Sequence, residues 1–214
     1  MKKILFIQPH SDDIILSCFA KLVDEDIEPT ILTIEFDEKR HKEDEKLIEF
    51  IPNLKIINGI EFGTPDTSYK DYWGKNMHRK FISEEVMTTI LDSLGDEKVE
   101  EILILLSEAI DSEEWDEIYT CMGVGHPLHW LIHELTKDTA THFYRDWPHS
   151  YKKRNKAFFD EYASTFKFSE EVKDEETLEL KHDLFKRFYK TQSGLLYFEQ
   201  KNIENNFSEK YYTS

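Results

Sequence analysis

Cysteine is nearly absent from this chain: Cys18 and Cys121 are the two in 214 residues, and each sits in an apolar stretch. So few thiols exclude a disulfide-stapled scaffold and read as reduced core residues of a cytoplasmic protein. Long apolar runs are missing too, and none approaches the roughly 20 residues of a membrane-spanning helix. Met1-Lys-Lys leads into a strand-length run and then into charge, which is not the pattern of a secretory leader. No internal repeat, low-complexity tract or linker interrupts the sequence. Positive charge is the last shortage: 27 Lys and Arg stand against 44 Asp and Glu, a formal charge of -17. A field of that sign disfavours nucleic acid and anionic membrane surfaces as partners. What remains is a soluble α/β domain, or one with a C-terminal extension, long enough to bury a sizeable core.

The apolar run Ile4–Ile7 reads as a buried parallel strand, and Ile14–Leu22, apolar at helical spacing, as a helix after it. Pro29–Phe36 and Lys55–Asn58 read as further strands, with an exposed helix over Asp37–Phe50 between them. Glu61–Lys75 is an aromatic, turn-rich loop. Ser83–Leu94 and Val99–Ile110 read as helices, although Ile102–Leu106 also suits a strand. Glu117–Met122 and Thr141–Tyr144 read as strands, Tyr151–Tyr162 and Thr177–Gln192 as amphipathic helices, and the residues from about Lys201 as a polar, frayed tail. Alternating strands and helices imply right-handed crossovers and a mostly parallel sheet.

Two histidine clusters fall in turns between a strand and a helix, where open α/β sheets place their ligands. The first is Pro9-His10-Ser11-Asp12-Asp13. The second is Gly125-His126-Pro127-Leu128-His129, with His133 one turn further on. Helix capping accounts for one Asp of the first cluster but leaves His10 and the other carboxylate unexplained. A receiver-type acidic pair would need a lone Asp and a Lys at later strand ends, and that pattern is not found. His126 and His129, three apart, share a helix face. No Glu sits between His129 and His133 as in a metalloprotease helix, so His133 reads as a packing or surface residue. Two histidines and a carboxylate, with a second carboxylate left as base, form an inventory for metal-assisted hydrolysis.

Pro9-His10-Ser11-Asp12-Asp13 resembles the His-Pro-Asp-Asp-Glu signature of the LmbE/PIG-L family of zinc-dependent N-acetylglucosaminyl deacetylases, and His126-Pro-Leu-His129 resembles its His-Pro-Asp-His. Arg40 with Glu43 is similar to that family's Arg-x-x-Glu, and Gly63-Thr-Pro-Asp66 to its Pro-Asp loop. Phe143-Tyr-Arg-Asp-Trp-Pro148 resembles its Tyr-Glu-Asp-x-Pro segment, and Lys181 with Tyr189-Lys-Thr-Gln192 its Lys…Tyr-x-Ser-Gln helix. The resemblance spans most of the chain. It implies one LmbE-like domain over 1–214, a Rossmann-like three-layer α/β/α fold with a helical extension from about residue 150.

The resemblance also implies zinc held by His10, Asp13 and His129, Asp12 as general base, and His126 as the charged partner of an oxyanion. Arg40, Asp66, Tyr144 and Asp146 are the implied substrate contacts. The substrate would be a small N-acyl amino sugar or its conjugate; self-association into a homo-oligomer is left open. Two positions depart from the family: Ile14 replaces a Glu, and Leu128 replaces the Asp that orients the oxyanion histidine. Either another carboxylate reaches His126, with Asp66 and Asp146 as candidates, or the ring loses its proton more readily and activity above pH 7 is poor. A metal-binding protein without turnover, and a hydrolase of another amide or ester, are the alternatives.

Overall fold

The structure is a computed structural model that describes residues 1–61, 92, 94–151, 153–192 and 208–214. Strand β1 (Lys2–Gln8) is the apolar run near the N-terminus, and every residue from Ile4 to Gln8 is buried. Both faces are covered, as a central parallel strand requires. It pairs in parallel with β2 (Ile27–Thr33) on one side and β4 (Glu117–Cys121) on the other. β3 (Lys55–Ile57) lies beyond β2, and β5 (His142–Tyr144) beyond β4, both parallel. β7 (Glu209–Thr213) runs antiparallel to β5, and β6 (Lys167–Val172) antiparallel to β7. The order β3-β2-β1-β4-β5-β7-β6 makes a seven-stranded, mostly parallel sheet in an α/β fold.

The chain leaves β1 towards β2 and β3, then returns to β1's other side with β4. A crevice opens at such a reversal, between the carboxyl ends of β1 and β4. The two histidine clusters follow those two strands.

Among the described residues, helices stand where the apolar spacing places them, with one break. Ile14–Leu22 is not one helix but two short ones, α1 (Asp13–Ser17) and α2 (Phe19–Leu22), interrupted at Cys18. The cause lies far along the chain. Glu209 accepts the Phe19 and Ala20 N–H groups at 3.1 and 2.9 Å, and the Leu16 carbonyl accepts from Lys181 Nζ at 3.2 Å. A buried Lys181–Glu209 ion pair, 2.9 Å long, thus occupies the gap in the helical ladder. α3 (Glu38–Ile48) is capped by Asp37, whose carboxylate accepts from the Lys39 and Arg40 N–H groups. α4 (Asp96–Asp111) is helical where a strand was the alternative, and buries Ile102, Leu106 and Ala109. α5 (Pro127–Thr136) begins with Pro127 in its first turn.

The C-terminal segment is helical at α6 (Lys153–Ala163) and α7 (Glu175–Phe188), and α7 packs on α1, α2 and α3. It also contributes β6 and β7, which sequence spacing did not reveal. Of the expected frayed tail from about Lys201, residues 201–207 lie outside the described residues, while β7 is inserted in the sheet and buries Tyr211 and Tyr212. The expected loop Glu61–Lys75, with Asp66, and the expected helix Ser83–Leu94 lie outside the described residues apart from Glu61, Asp92 and Leu94. Among the described residues, no helix is long and apolar enough to cross a membrane.

Candidate metal centre

Gln8, the last residue of β1, holds the first turn in place. Its side-chain N–H groups donate to Thr33 Oγ1 (2.8 Å) and Asp44 Oδ2 (2.9 Å), and its carbonyl accepts the Ile14 N–H (3.1 Å). The chain then folds back on itself, with the Asp12 N–H bonded to the His10 carbonyl at 2.8 Å. Asp12 stands at the N-cap position of α1, yet its side chain makes no capping hydrogen bond. Capping therefore explains neither carboxylate. Asp13 Oδ2 instead accepts the His10 backbone N–H at 2.8 Å.

The second turn needs its glycines. Gly123 and Gly125 have φ values of +77° and +90°, which L side chains rarely adopt. A Cβ on Gly125 would lie 2.3 Å from Asn155 Nδ2, and one on Gly123 2.8 Å from His133 Cβ. This tight passage delivers His126 as the N-cap of α5 and His129 to its first turn.

The two turns bring His10, Asp13 and His129 together. His10 Nδ1 lies 3.2 Å from His129 Nε2 and 3.3 Å from Asp13 Oδ2, and His129 Nε2 lies 3.4 Å from Asp13 Oδ1. Ligands at zinc distances on a tetrahedron stand about 3.3–3.4 Å apart; the edges here are of that length, with the two to Asp13 ending on its two different oxygens. The far side of each ring is occupied. His129 Nδ1 donates to Asp146 Oδ1 at 2.7 Å, which leaves the Nε2 lone pair facing inward. His10 Nε2 lies 3.2 Å from Glu35 Oε2.

Two looser groupings share His129. The ring nitrogens of His10, His126 and His129 fall within 4.8 Å of one another, as do the donor atoms of Cys121, His129 and Asp146. The second is a poor ligand set. His129 Nδ1 is committed to Asp146, and burial pushes the Cys121 thiol up, away from the thiolate that a cation needs. His126 remains a near neighbour of the centre, with its ring centroid 4.8 Å from that of His10.

The adjacent carboxylates differ electrically. Burial and the charge of Asp13 raise the Asp12 carboxyl well above the usual range, against the pull of Arg40, His10 and His129. Burial also opposes ionisation of Asp13, but His129 and His10 outweigh it and hold this group low. For His10, burial disfavours the charged ring, while Asp13 and Glu35 together outweigh that and raise it. A charged, acceptor-rich Asp13 beside two imidazoles suits a cation ligand; an Asp12 that holds a proton more readily suits a base.

Other expected site residues fall elsewhere. Tyr144 is fully buried, with its hydroxyl donating to the Ile7 carbonyl at 3.0 Å, so it is a core residue with no surface for a substrate. Asp146 is also fully buried. Its oxygens serve His129 and the Val124 N–H (3.2 Å), so it holds the His129 ring and has no surface for a substrate. Leu128 lies wholly within the apolar core. His133 is a packing residue: Nδ1 donates to the Cys121 carbonyl at 2.8 Å and Nε2 accepts from the Tyr162 hydroxyl. Arg40 lies near enough for its charge to act on Asp12 and Glu35. Glu43 accepts the Thr191 N–H and hydroxyl at 2.8 and 2.5 Å, so the Arg40–Glu43 segment meets the Tyr189–Gln192 segment.

Three residues near the centre were not foreseen. Glu35 follows the end of β2, a place that by itself was a signal. His149 puts its ring centroid 5.0 Å from that of His129 and 5.3 Å from that of His126. Asp44, buried in α3, accepts from Gln8 and from the Tyr189 hydroxyl.

No family model and no curated protein matches the chain. Solved structures do. A deacetylase of the teicoplanin biosynthesis pathway, in complex with bog, aligns with a TM-score of 0.63 at 15% identity, covering 98% of this chain and 96% of that one. The zinc-inhibited form of teicoplanin deacetylase Orf2 aligns at 0.59 and 14%, covering 98% and 97%. A deacetylase–teicoplanin complex aligns at 0.59 and 14%, covering 99% and 97%. At this identity the likeness carries the fold, end to end.

Proposed function

We propose that this chain is a zinc-dependent hydrolase that removes an N-acetyl group from an amino sugar or its conjugate. The observation that supports it most is the approach of His10 Nδ1 to His129 Nε2 at 3.2 Å, with one oxygen of Asp13 within 3.3–3.4 Å of each, beside the otherwise unassigned carboxyl of Asp12. That the fold neighbours are deacetylases agrees with the hydrolase part of this reading, and the zinc-inhibited form of one of them agrees with a metal site without naming the activating ion. A divalent cation held by His10, Asp13 and His129 would polarise the acyl carbonyl and make water more acidic.

The chain's own groups then do the proton work. Asp12 takes a proton from water as the oxygen adds to the acyl carbon. It returns that proton to the amine nitrogen as the C–N bond breaks, releasing acetate and free amine. His126 donates an N–H to the oxygen on which negative charge develops. Arg40 and Asp66 contact the substrate. The test is acetate release from N-acetylglucosamine conjugates with zinc titrated into metal-free protein. Zinc-dependent release supports the assignment.

The second reading is a metal-binding protein without turnover. Leu128 favours it, since an apolar side chain buried in the core replaces the carboxylate that the resemblance places beside His126. Stoichiometric zinc with no release from a panel of N-acyl and ester substrates would select it.

A further inference from the structure

Glu35 belongs to neither histidine-bearing turn, yet the fold pins it beside one of them. Its N–H donates to the Pro9 carbonyl at 2.9 Å, and on its other side it forms a parallel bridge with Ile60. The flanking bonds, Ile34 N–H to the Gln8 carbonyl and Phe36 N–H to the Ile60 carbonyl, are also 2.9 Å. The β2 end is therefore laced to the first turn, and Glu35 Oε2 comes to 3.2 Å from His10 Nε2.

A neutral imidazole, the form that can bind a cation, carries its lone pair on Nδ1 when it gives its Nε2–H to a carboxylate. Nδ1 is the His10 atom that faces His129 and Asp13, at 3.2 and 3.3 Å. His129 is arranged the other way round: its Nδ1 serves Asp146 and its Nε2 faces inward. Two carboxylates from two strand ends thus present two rings through opposite nitrogens.

We infer that Glu35 is a positioning residue, which sets the orientation and tautomer of His10 and thereby the cation affinity of the centre without touching the cation. The inference rests on the metal-centre reading above. A competing role, partner to Arg40 alone, would leave cation affinity unchanged.

The test is zinc affinity of the full chain, by competition with a chromogenic chelator, for the parent, Glu35→Ala, Glu35→Gln and Asp13→Ala. Glu35→Ala is expected to weaken binding by about 10- to 100-fold. Glu35→Gln should retain most of the affinity, because its amide oxygen accepts the same N–H. Visible spectra of the cobalt(II)-loaded proteins should change for Asp13→Ala and keep the parent's ligand bands for both Glu35 variants. About a third of the Glu35 side chain is exposed (32%), so truncation opens no buried void. Parent-like zinc affinity in Glu35→Ala overturns the inference while leaving the metal centre standing. A ligand-loss spectrum in that variant, or a metal-free melting point far below the parent's, overturns it too, by making Glu35 a ligand or a structural prop. A parent chain that binds no zinc overturns the metal centre and this inference together.

Discussion

Asp12 and Asp13 are neighbours in sequence, equally buried, and different in surroundings. Asp13 faces two imidazoles, whereas the charge that acts most strongly on Asp12 is that of Asp13 itself. Replacing each should therefore fail differently. Asp12→Asn is expected to keep its zinc and lose turnover by at least about 10²-fold, read as metal content beside acetate release. His129→Ala should lose the zinc. His133 offers a residue-scale test of burial alone. Desolvation depresses its pKa, although the Cys121 carbonyl opposes this. Its unfolded counterpart takes a proton near about pH 6.5, and the folded ring only at lower pH. The unfolded state thus binds more protons in that window, so the stability His133 contributes is complete above it and is lost as pH falls through it. Melting curves between pH 7.5 and 5.5 should show a shallower pH dependence for His133→Gln than for the parent.

At the scale of elements, β7 and α7 work as a clasp on the helix pair below the centre. Lys181 and Glu209 are almost wholly inaccessible, and Glu209 also accepts two backbone N–H groups of α2. Lys181→Met would leave that carboxylate buried and uncompensated, at a cost of about 3–5 kcal/mol. Pairing it with Glu209→Gln should recover much of the loss in urea denaturation, because no lone charge remains. The break at Cys18 has no local signal, since the groups that fill it come from residues 181 and 209. β7 was equally hidden: Glu209-Lys-Tyr-Tyr-Thr213 is short and half polar, and its strand character comes from β5 and β6 on either side. β1, by contrast, was legible because a continuous run of Ile, Leu and Phe can only be buried on both faces. α5 was legible through its glycine turn and Pro127. The histidine and aspartate clusters could be read because each lies within a few positions of such an element. Glu35, Asp146 and His149 could not be paired with their histidines, because partnership across strand ends is a property of the sheet order.

For the whole molecule, that order divides the centre between two stretches of chain. His10, Asp12, Asp13 and Glu35 come from the first, and His126, His129 and Asp146 from the second, with the β1–β4 pairing bringing them together. His10 and His129 are 119 residues apart along the chain and 3.2 Å apart in space. A cation bound by both would act as a cross-link between distant parts of the chain, and one that a chelator can withdraw. In the chain-entropy model, a permanent link closing a loop of 100 residues stabilises by about 4.7 kcal/mol. A reversible link stabilises instead by mass action, about 1.4 kcal/mol for each tenfold rise in free zinc above its dissociation constant. For a chain of this length that corresponds to about 3–6 °C of melting temperature per decade of zinc. Melting followed at graded zinc concentrations, with a chelator as the zero, should trace that slope for the parent and a flat line for His129→Ala. The protein's heat resistance would then rise and fall with the zinc supply around it.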